Sequence, residues 1–159
     1  EAARAVLIAS ANKNIDGAHI PAPWEDSHDG FGSANFYRAD DILGYDSLGD
    51  YATASLSCNT EMPYVITMPL TQSYLTRVVL AYDIDPNYYN YANKPNIDLD
   101  ITIYDPNGNS VASSTSWDST VEAASFYPTM SGNYKLSITR YSCDPTYSFT
   151  WMSAAWSQG

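Results

Sequence analysis

A short stretch in the middle of the chain constrains its fold more than any other. The sequence from Ile97 to Tyr104 reads Ile-Asp-Leu-Asp-Ile-Thr-Ile-Tyr, with aliphatic residues at the odd positions and polar or amphipathic residues at the even ones. A period of two is the pattern of a β-strand with one buried face, and it excludes an α-helix here.

The neighbouring segments extend this pattern into a β fold. The stretch from Leu75 to Asp83 is apolar at most positions, as in a strand that is buried on both faces. After Gly44, short alternating segments are separated by turn signals such as Asp105-Pro-Asn-Gly108. The sequence therefore predicts a mainly β fold, a jelly-roll-like antiparallel β-sandwich or barrel of about eight strands preceded by two short helices. We place the strands at 51–58, 64–68, 75–83, 97–104, 111–114, 120–127, 133–141 and 147–156.

Residues 1–45 differ in kind from the rest, because two short stretches, at 1–11 and 36–43, have apolar residues at helical spacing and are separated by a loop at 15–30. Helices this short cannot bury a core of their own. We therefore expect them either to pack against the β body or to self-associate. The predicted apolar faces are Ala3, Val6, Leu7 and Ser10 in the first helix, and Phe36, Ala39, Ile42 and Leu43 in the second.

The charge balance limits the possible partners. A formal net charge of -11 and a pI near 4.2 argue against nucleic acid, since no basic face could displace counterions from phosphates. No apolar run approaches the ~20 residues of a membrane-spanning helix. Charged residues make up 16% of the chain and Tyr occurs 14 times, which is typical of a secreted or extracellular β protein.

The two cysteines are far apart in sequence. Cys58 and Cys143 form no CxxC pair, so a metal-thiolate or redox motif has little support. The alternatives are one long-range disulfide or two free buried thiols, and the sequence does not choose between them.

Acidic residues surround the predicted loop between the Leu75 and Ile97 strands. If these strands pair as antiparallel neighbours, carboxylates at their adjoining ends come within about 5 Å of one another. Calcium, which takes six to eight oxygen ligands, would relieve their repulsion. The alternative is a set of solvated acids at a sheet edge. The candidate calcium ligands are Asp83, Asp85, Asp98 and Asp100.

Aromatic residues supply a second candidate site. Aromatic side chains present apolar area with a polar tip, which suits the binding of sugar or peptide. The alternative is that these side chains cover their own β body. The candidates are Tyr88, Tyr89, Tyr91 and Trp117.

Several segments, taken in order, resemble the C-terminal part of subtilisin-like serine proteases. Residues 2–11 and the segment from Asp29-Gly-Phe-Gly-Ser-Ala-Asn35 to Leu43 look like the last helices of the catalytic domain. The later segments resemble the β domain appended to some of these proteases, a relative of prepeptidase C-terminal domains. These segments are Val78-Val-Leu-Ala-Tyr-Asp83, 97–103, 105–108, Thr120-Val-Glu122 and Ser131-Gly-Asn-Tyr134.

The resemblance implies two domains, a helical remnant of a catalytic domain at 1–45 and an accessory β-sandwich at 46–159. It also implies a catalytic triad in the order Asp, His, Ser, with Ser in a Gly-Thr-Ser-type segment. This chain has no Gly-Thr-Ser, and its two histidines, His19 and His28, lie in a Pro/Asp/Gly-rich loop. We expect these histidines to be exposed loop residues, the alternative being a role as metal ligands or substrate contacts, and we expect this chain to carry no catalytic residue.

Two functional hypotheses follow. In the first, the chain is the non-catalytic accessory part of a secreted subtilisin-like endopeptidase and stabilises or orients the catalytic domain of its own parent chain. The short connection from Gly44 to Asp50 favours this hypothesis, because it is too short for a long flexible linker. In the second, the chain is an autonomous module that binds carbohydrate or protein. An independent enzyme is disfavoured, since no acid/base pair beyond surface aspartates is evident.

Overall fold

Eight antiparallel strands form two four-stranded sheets that pack face to face. The computed structural model describes residues 1–12, 30–45, 48–85, 95–147 and 149–159. Two short helices, α1 (Ala2–Ser10) and α2 (Phe36–Asp40), precede the strands, and a π-helical segment (Asp41–Tyr45) continues from α2. The strands are β1 (Gly49–Ser57), β2 (Tyr64–Leu70), β3 (Thr76–Tyr82), β4 (Ile97–Tyr104), β5 (Ser110–Ser114), β6 (Val121–Phe126), β7 (Gly132–Cys143) and β8 (Phe149–Gln158).

The strand order is that of a jelly roll. The first sheet runs β1-β8-β3-β6 and the second runs β2-β7-β4-β5, with every pairing antiparallel. All eight predicted strands are present, so the mainly β prediction is confirmed. The described residues form a sandwich of two sheets and not a closed barrel.

The predicted alternation in β4 and the two-sided burial of β3 are both confirmed. The odd positions of β4, from Ile97 to Ile103, are buried between the sheets. All seven residues of β3 are buried. Val78, Leu80 and Tyr82 face the sandwich core, whereas Val79 and Ala81 face the opposite side of the sheet.

The opposite side of β3 is covered by α1. Of the two alternatives for the helical segment, packing against the β body and self-association, the first is therefore observed. The predicted helix faces are wrong in part. In α1, Val6 and Ser10 are buried as predicted, but Ala3 and Leu7 are exposed.

Small residues explain the difference in phase. The buried face of α1 is built around Ala5, Val6 and Ala9, which lie on Val79, Ala81 and Ala155 of the sheet. Small side chains on both surfaces let the helix backbone approach the sheet closely, and Leu7 would hold it away.

In the second helical segment the prediction is likewise correct at two of four positions. Ala39 and Ile42 are buried, whereas Phe36 is 74% exposed and Leu43 is 50% exposed.

The pairing between the Leu75 and Ile97 strands, on which the calcium hypothesis depended, does not occur. β3 and β4 belong to different sheets, because the chain crosses from one layer of the jelly roll to the other between them. The two strands face each other across the core and share no ladder of backbone hydrogen bonds.

The cysteines form a disulfide, which resolves the open alternative. Cys58 and Cys143 lie with Cα atoms 5.6 Å apart and are separated by 85 residues in sequence. The bond joins the connection between β1 and β2 to the end of β7.

Candidate functional site

A buried acid lies at the side of the sandwich where β5 and β6 adjoin. Glu122 in β6 has the same parity as Ala124 and Phe126, and its side chain therefore points between the sheets. Its exposed fraction is 0%. Burial raises the pKa of Glu122 from an ordinary value of 4.5 to about 7, because it disfavours the charged carboxylate.

Hydrogen bonds from the adjoining connection hold this carboxyl in place. The Ser114 hydroxyl donates to Glu122 Oε2 at 2.5 Å, and the Ser116 N–H reaches both carboxyl oxygens at 3.0 and 3.1 Å. These bonds favour the ionised form and oppose part of the effect of burial on the pKa. Through these bonds the carboxyl holds the β5–β6 connection in place. Because solvent does not reach Glu122, its carboxyl is not accessible to a ligand.

The side chain of Tyr82 links the two sheets near Glu122. Its hydroxyl donates to Ser119 O at 2.8 Å and accepts a hydrogen bond from the Leu99 N–H at 3.3 Å. Burial is the largest cause of a raised pKa for this phenol. The hydroxyl therefore stays protonated and links a backbone carbonyl next to the first sheet to a backbone N–H of the second.

Three polar side chains attach the helical segment to the first sheet. Arg4 Nη2 donates to Tyr82 O at 2.6 Å and to Thr120 O at 3.0 Å. The Ser157 hydroxyl donates to Ala9 O at 2.7 Å, and Arg77 Nη1 donates to Ala11 O. The sequence reasoning missed these contacts, because it had no means of knowing which sheet face the helix covers.

Of the four aspartates predicted to bind calcium, Asp83 and Asp85 lie on the connection after β3, and Asp98 and Asp100 lie in β4. Asp83 follows β3 and is exposed, and its N–H donates to Trp151 O at 3.0 Å. Asp98 is only 4% exposed, and Asp100 is half-buried with a pKa raised by burial. Asp85 is half-buried.

The described residues contain no group of three or more His, Cys, Asp or Glu side chains arranged to hold a metal ion. The strand pairing that was expected to gather these aspartates does not occur. Calcium binding therefore stays a prediction without geometric support from this part of the chain.

Of the predicted aromatic surface, only Trp117 can be placed. It lies on the β5–β6 connection and is 62% exposed. Tyr88, Tyr89 and Tyr91 lie outside the described residues.

The two histidines, His19 and His28, lie outside the described residues as well. Their expected exposure therefore stays a prediction.

The comparisons with known proteins give no family. No family model matches the chain, and no curated protein matches it. Among solved structures, a periplasmic inhibitor of g-type lysozyme from Aeromonas hydrophila, PliG, is similar with a TM-score of 0.42 and 9% identity over 70% of this chain and 87% of that chain.

Two further solved structures are similar over 70% of this chain, each at 14% identity. One is a family two carbohydrate esterase from Cellvibrio japonicus, with a TM-score of 0.30, of which this chain covers 34%. The other is the P-domain of Macrobrachium rosenbergii nodavirus, with a TM-score of 0.24, of which this chain covers 93%. At these values the likenesses carry no argument about function.

Within the described residues, no helix has the length and apolar character required to cross a membrane. The Cys58–Cys143 disulfide is consistent with an extracellular or periplasmic location, because disulfides persist in oxidising compartments.

Proposed function

We propose that this chain is a non-catalytic accessory part of a secreted subtilisin-like serine endopeptidase, in which the β-sandwich stabilises or orients the catalytic domain of the parent chain. The observation that supports this most is the attachment of α1 to the sandwich. The helix carries part of the protease resemblance, and its small buried residues and Arg4 hold it against the outer face of the first sheet. A module that orients another domain needs a stiff joint of this kind.

The proposal is tested first by the coding sequence upstream of Glu1. We expect it to encode Asp, His and a Gly-Thr-Ser-type segment in that order. A different domain at that place would contradict the proposal.

A second test uses the parent protein and loosens the joint. Arg77→Met removes the contact with Ala11 O, and Lys135→Met removes an equal charge from an exposed position on the other sheet. We expect Arg77→Met to shorten the half-life of protease activity on heating while leaving kcat/KM for a short chromogenic peptide within about twofold. Equal half-lives for the two variants would show that the joint does not stabilise the catalytic domain.

The exposed Trp117 supports a second candidate function, a module that binds carbohydrate or protein. An exposed indole on a connection fastened by Glu122 offers a positioned aromatic face. The test is retention on insoluble polysaccharides and on collagen, with Trp117→Ala compared with Trp151→Ala, which removes a second exposed indole elsewhere. Retention that is lost only in Trp117→Ala would support this function, and no retention of the unmodified protein would remove it.

Calcium binding is part of the same proposal and rests on the resemblance and on the aspartates in or next to the connection between β3 and β4. Its test is calorimetric titration of a chelator-treated sample. Heat that saturates below millimolar calcium would support a site, and no heat at millimolar calcium would end the hypothesis.

A further inference from the structure

The outer edge of β1 is the least protected edge of the sandwich. Among the residues that the structure describes, β1 is the terminal strand of its sheet and pairs only with β8. Two hydrogen bonds fix which peptide groups point outward: Gln158 N donates to Leu48 O at 2.6 Å, and Asp83 N donates to Trp151 O at 3.0 Å. The first bond shows that even-numbered residues of β8 bond to even-numbered residues of β1, and the second shows that odd-numbered residues of β8 bond to β3. The odd-numbered residues of β1 therefore direct their N–H and C=O groups away from the sheet.

Local contacts cap this outer edge at Tyr51 and at Ser57. The Tyr51 N–H donates to Asp50 Oδ1 at 2.7 Å. The Ser57 N–H donates to Thr60 Oγ1 at 2.8 Å, and Ser57 O accepts hydrogen bonds from Thr60 N at 3.0 Å and Arg140 Nη1 at 2.9 Å. These contacts block growth of the sheet at these two positions of β1.

The middle of the edge is open. From Tyr51 to Ser55, five outward backbone groups have no hydrogen-bond partner among the described residues: the C=O of Tyr51 and both the N–H and C=O of Thr53 and Ser55. An antiparallel strand laid beside β1 would pair with Thr53 and Ser55 through two bonds each and with Tyr51 O through one.

The other three edges carry features that discourage strand addition. β2 contains Pro69, and β5 is only five residues long with a shift in register. β6 has the inward-pointing Glu122, bonded to Ser114 of the opposite sheet. Proline, short irregular strands and inward-pointing charges are the devices by which proteins protect edges. β1 has no proline and no shift in register, and its only charged residue is Asp50.

Partly buried apolar side chains lie on the same side of the sandwich. β1 and β2 are the edge strands joined directly by residues 58–63. Ala54, Met62, Tyr64 and Ile66 pack against the core there but are only partly buried. A strand added to β1 would cover this apolar area with every second side chain.

We propose that the outer edge of β1 binds an extended peptide segment of a partner protein by strand addition. The segment that fits has apolar side chains at alternate positions, which cover the open side of the core. Its flanks are basic, because Asp50 and the exposed Glu61 border the edge and the chain carries a net charge of -11. The backbone bonds supply affinity and the alternating side chains supply selectivity. This proposal does not depend on the proposed function.

The experiment uses a fluorescein-labelled peptide in which Val and Thr alternate between Lys residues at both ends. Two N-methylated forms of this peptide serve as matched probes. In the first form, the methyl groups are on the amides that face β1 when the Val side chains cover the core. In the second form, they are on the alternate amides, which face away from β1. We expect binding by the unmethylated form and the second form, and at least about tenfold weaker binding by the first. Equal affinity of the two methylated forms, or no binding by any form at millimolar concentration, would overturn the proposal.

Amide exchange followed by NMR locates the site. With peptide present, we expect the Thr53 and Ser55 amides to exchange at least about tenfold more slowly, while the already bonded Tyr51 and Ser57 amides change little. If the Thr53 and Ser55 amides are protected without peptide and sedimentation shows a dimer, a second copy occupies the edge and the peptide proposal is wrong.

A variant pair at one position gives a further test. Thr53→Pro removes an outward N–H that takes no part in the ladder with β8, and Thr53→Val keeps it. We expect Thr53→Pro to weaken peptide binding at least about tenfold and Thr53→Val to leave it within about twofold. Equal weakening in both variants would contradict strand addition, and should Thr53→Pro fail to fold, the methylated peptides and the amide exchange still decide the question.

Discussion

The ionisation of Glu122 should make the stability of this protein fall as the pH rises through neutrality. The pKa of Glu122 is raised from 4.5 to about 7 in the folded protein, chiefly by burial. A group with a raised folded pKa contributes its full stability below its unfolded pKa and loses it as the pH rises through the folded pKa. The shift corresponds to about 3 kcal/mol between pH 4.5 and pH 8, as an order of magnitude.

The variant Glu122→Gln isolates this effect. Gln keeps the shape and an oxygen that accepts the Ser116 N–H, but it does not ionise. We expect its free energy of unfolding, minus that of the unmodified protein, to rise by about 3 kcal/mol from pH 4.5 to pH 8. Urea unfolding followed by tryptophan fluorescence at a series of pH values measures this difference, provided that the urea dependence stays unchanged.

The control is Asp118→Asn, which removes one carboxyl from an exposed position on the same connection. Because each variant removes one carboxyl from the chain, the effect specific to the buried Glu122 is the difference between them. Parallel pH profiles for Glu122→Gln and the unmodified protein would refute the assignment of a buried carboxyl that resists ionisation.

Three further predictions concern the turn, the helix and the disulfide. Hydrogen bonds within its turn lower the pKa of Asp105, so this carboxylate contributes stability at neutral pH that is lost as the pH falls through the folded pKa. Asp105→Asn should therefore lower the free energy of unfolding more at pH 7 than at pH 2.5, as measured by urea titration. Ala9→Leu should cost about 1 to 3 kcal/mol because it overpacks a fully buried site, whereas Ala3→Leu on the exposed face should change stability by less than about 0.5 kcal/mol. Replacing Cys58 and Cys143 together by Ser should lower the free energy of unfolding by about 4 kcal/mol, since the bond closes a loop with a separation of 85 residues, and an unchanged urea midpoint would contradict this.

The strands could be predicted from the sequence because their pattern is local. A period of two reports burial on one face without reference to any partner, and this is why the range from Ile97 to Tyr104 agrees with the structure at both ends. The pairing of strands is not local. β3 and β4 are consecutive strands and yet lie in opposite sheets, because the jelly roll places strands distant in sequence beside one another.

The candidate sites were less predictable for a related reason. Leu7 is more hydrophobic than Ala5 or Ala9, so periodicity alone puts it inside, but close approach to a flat sheet selects the small residues. Glu122 had a detectable signal in the sequence, since it shares the inward parity of Ala124 and Phe126. The sequence does not reveal that Ser114 of the opposite sheet and Ser116 of the β5–β6 connection satisfy its carboxyl.

The position of Glu122 connects the stability of the sandwich with its unequal edges. A carboxyl that resists ionisation at neutral pH lowers stability, and Gln would satisfy the same N–H without that cost. What Gln lacks is a group that ionises as the pH rises above neutrality, and a further strand beside β6 would remove the nearby solvent that screens this charge. Glu122 would therefore oppose strand addition at the β6 edge, whereas the β1 edge has no such group. Glu122→Gln should therefore gain stability at pH 8 and also form larger species in light scattering at high concentration, and a variant that gains stability without associating would show that the charge has no protective role.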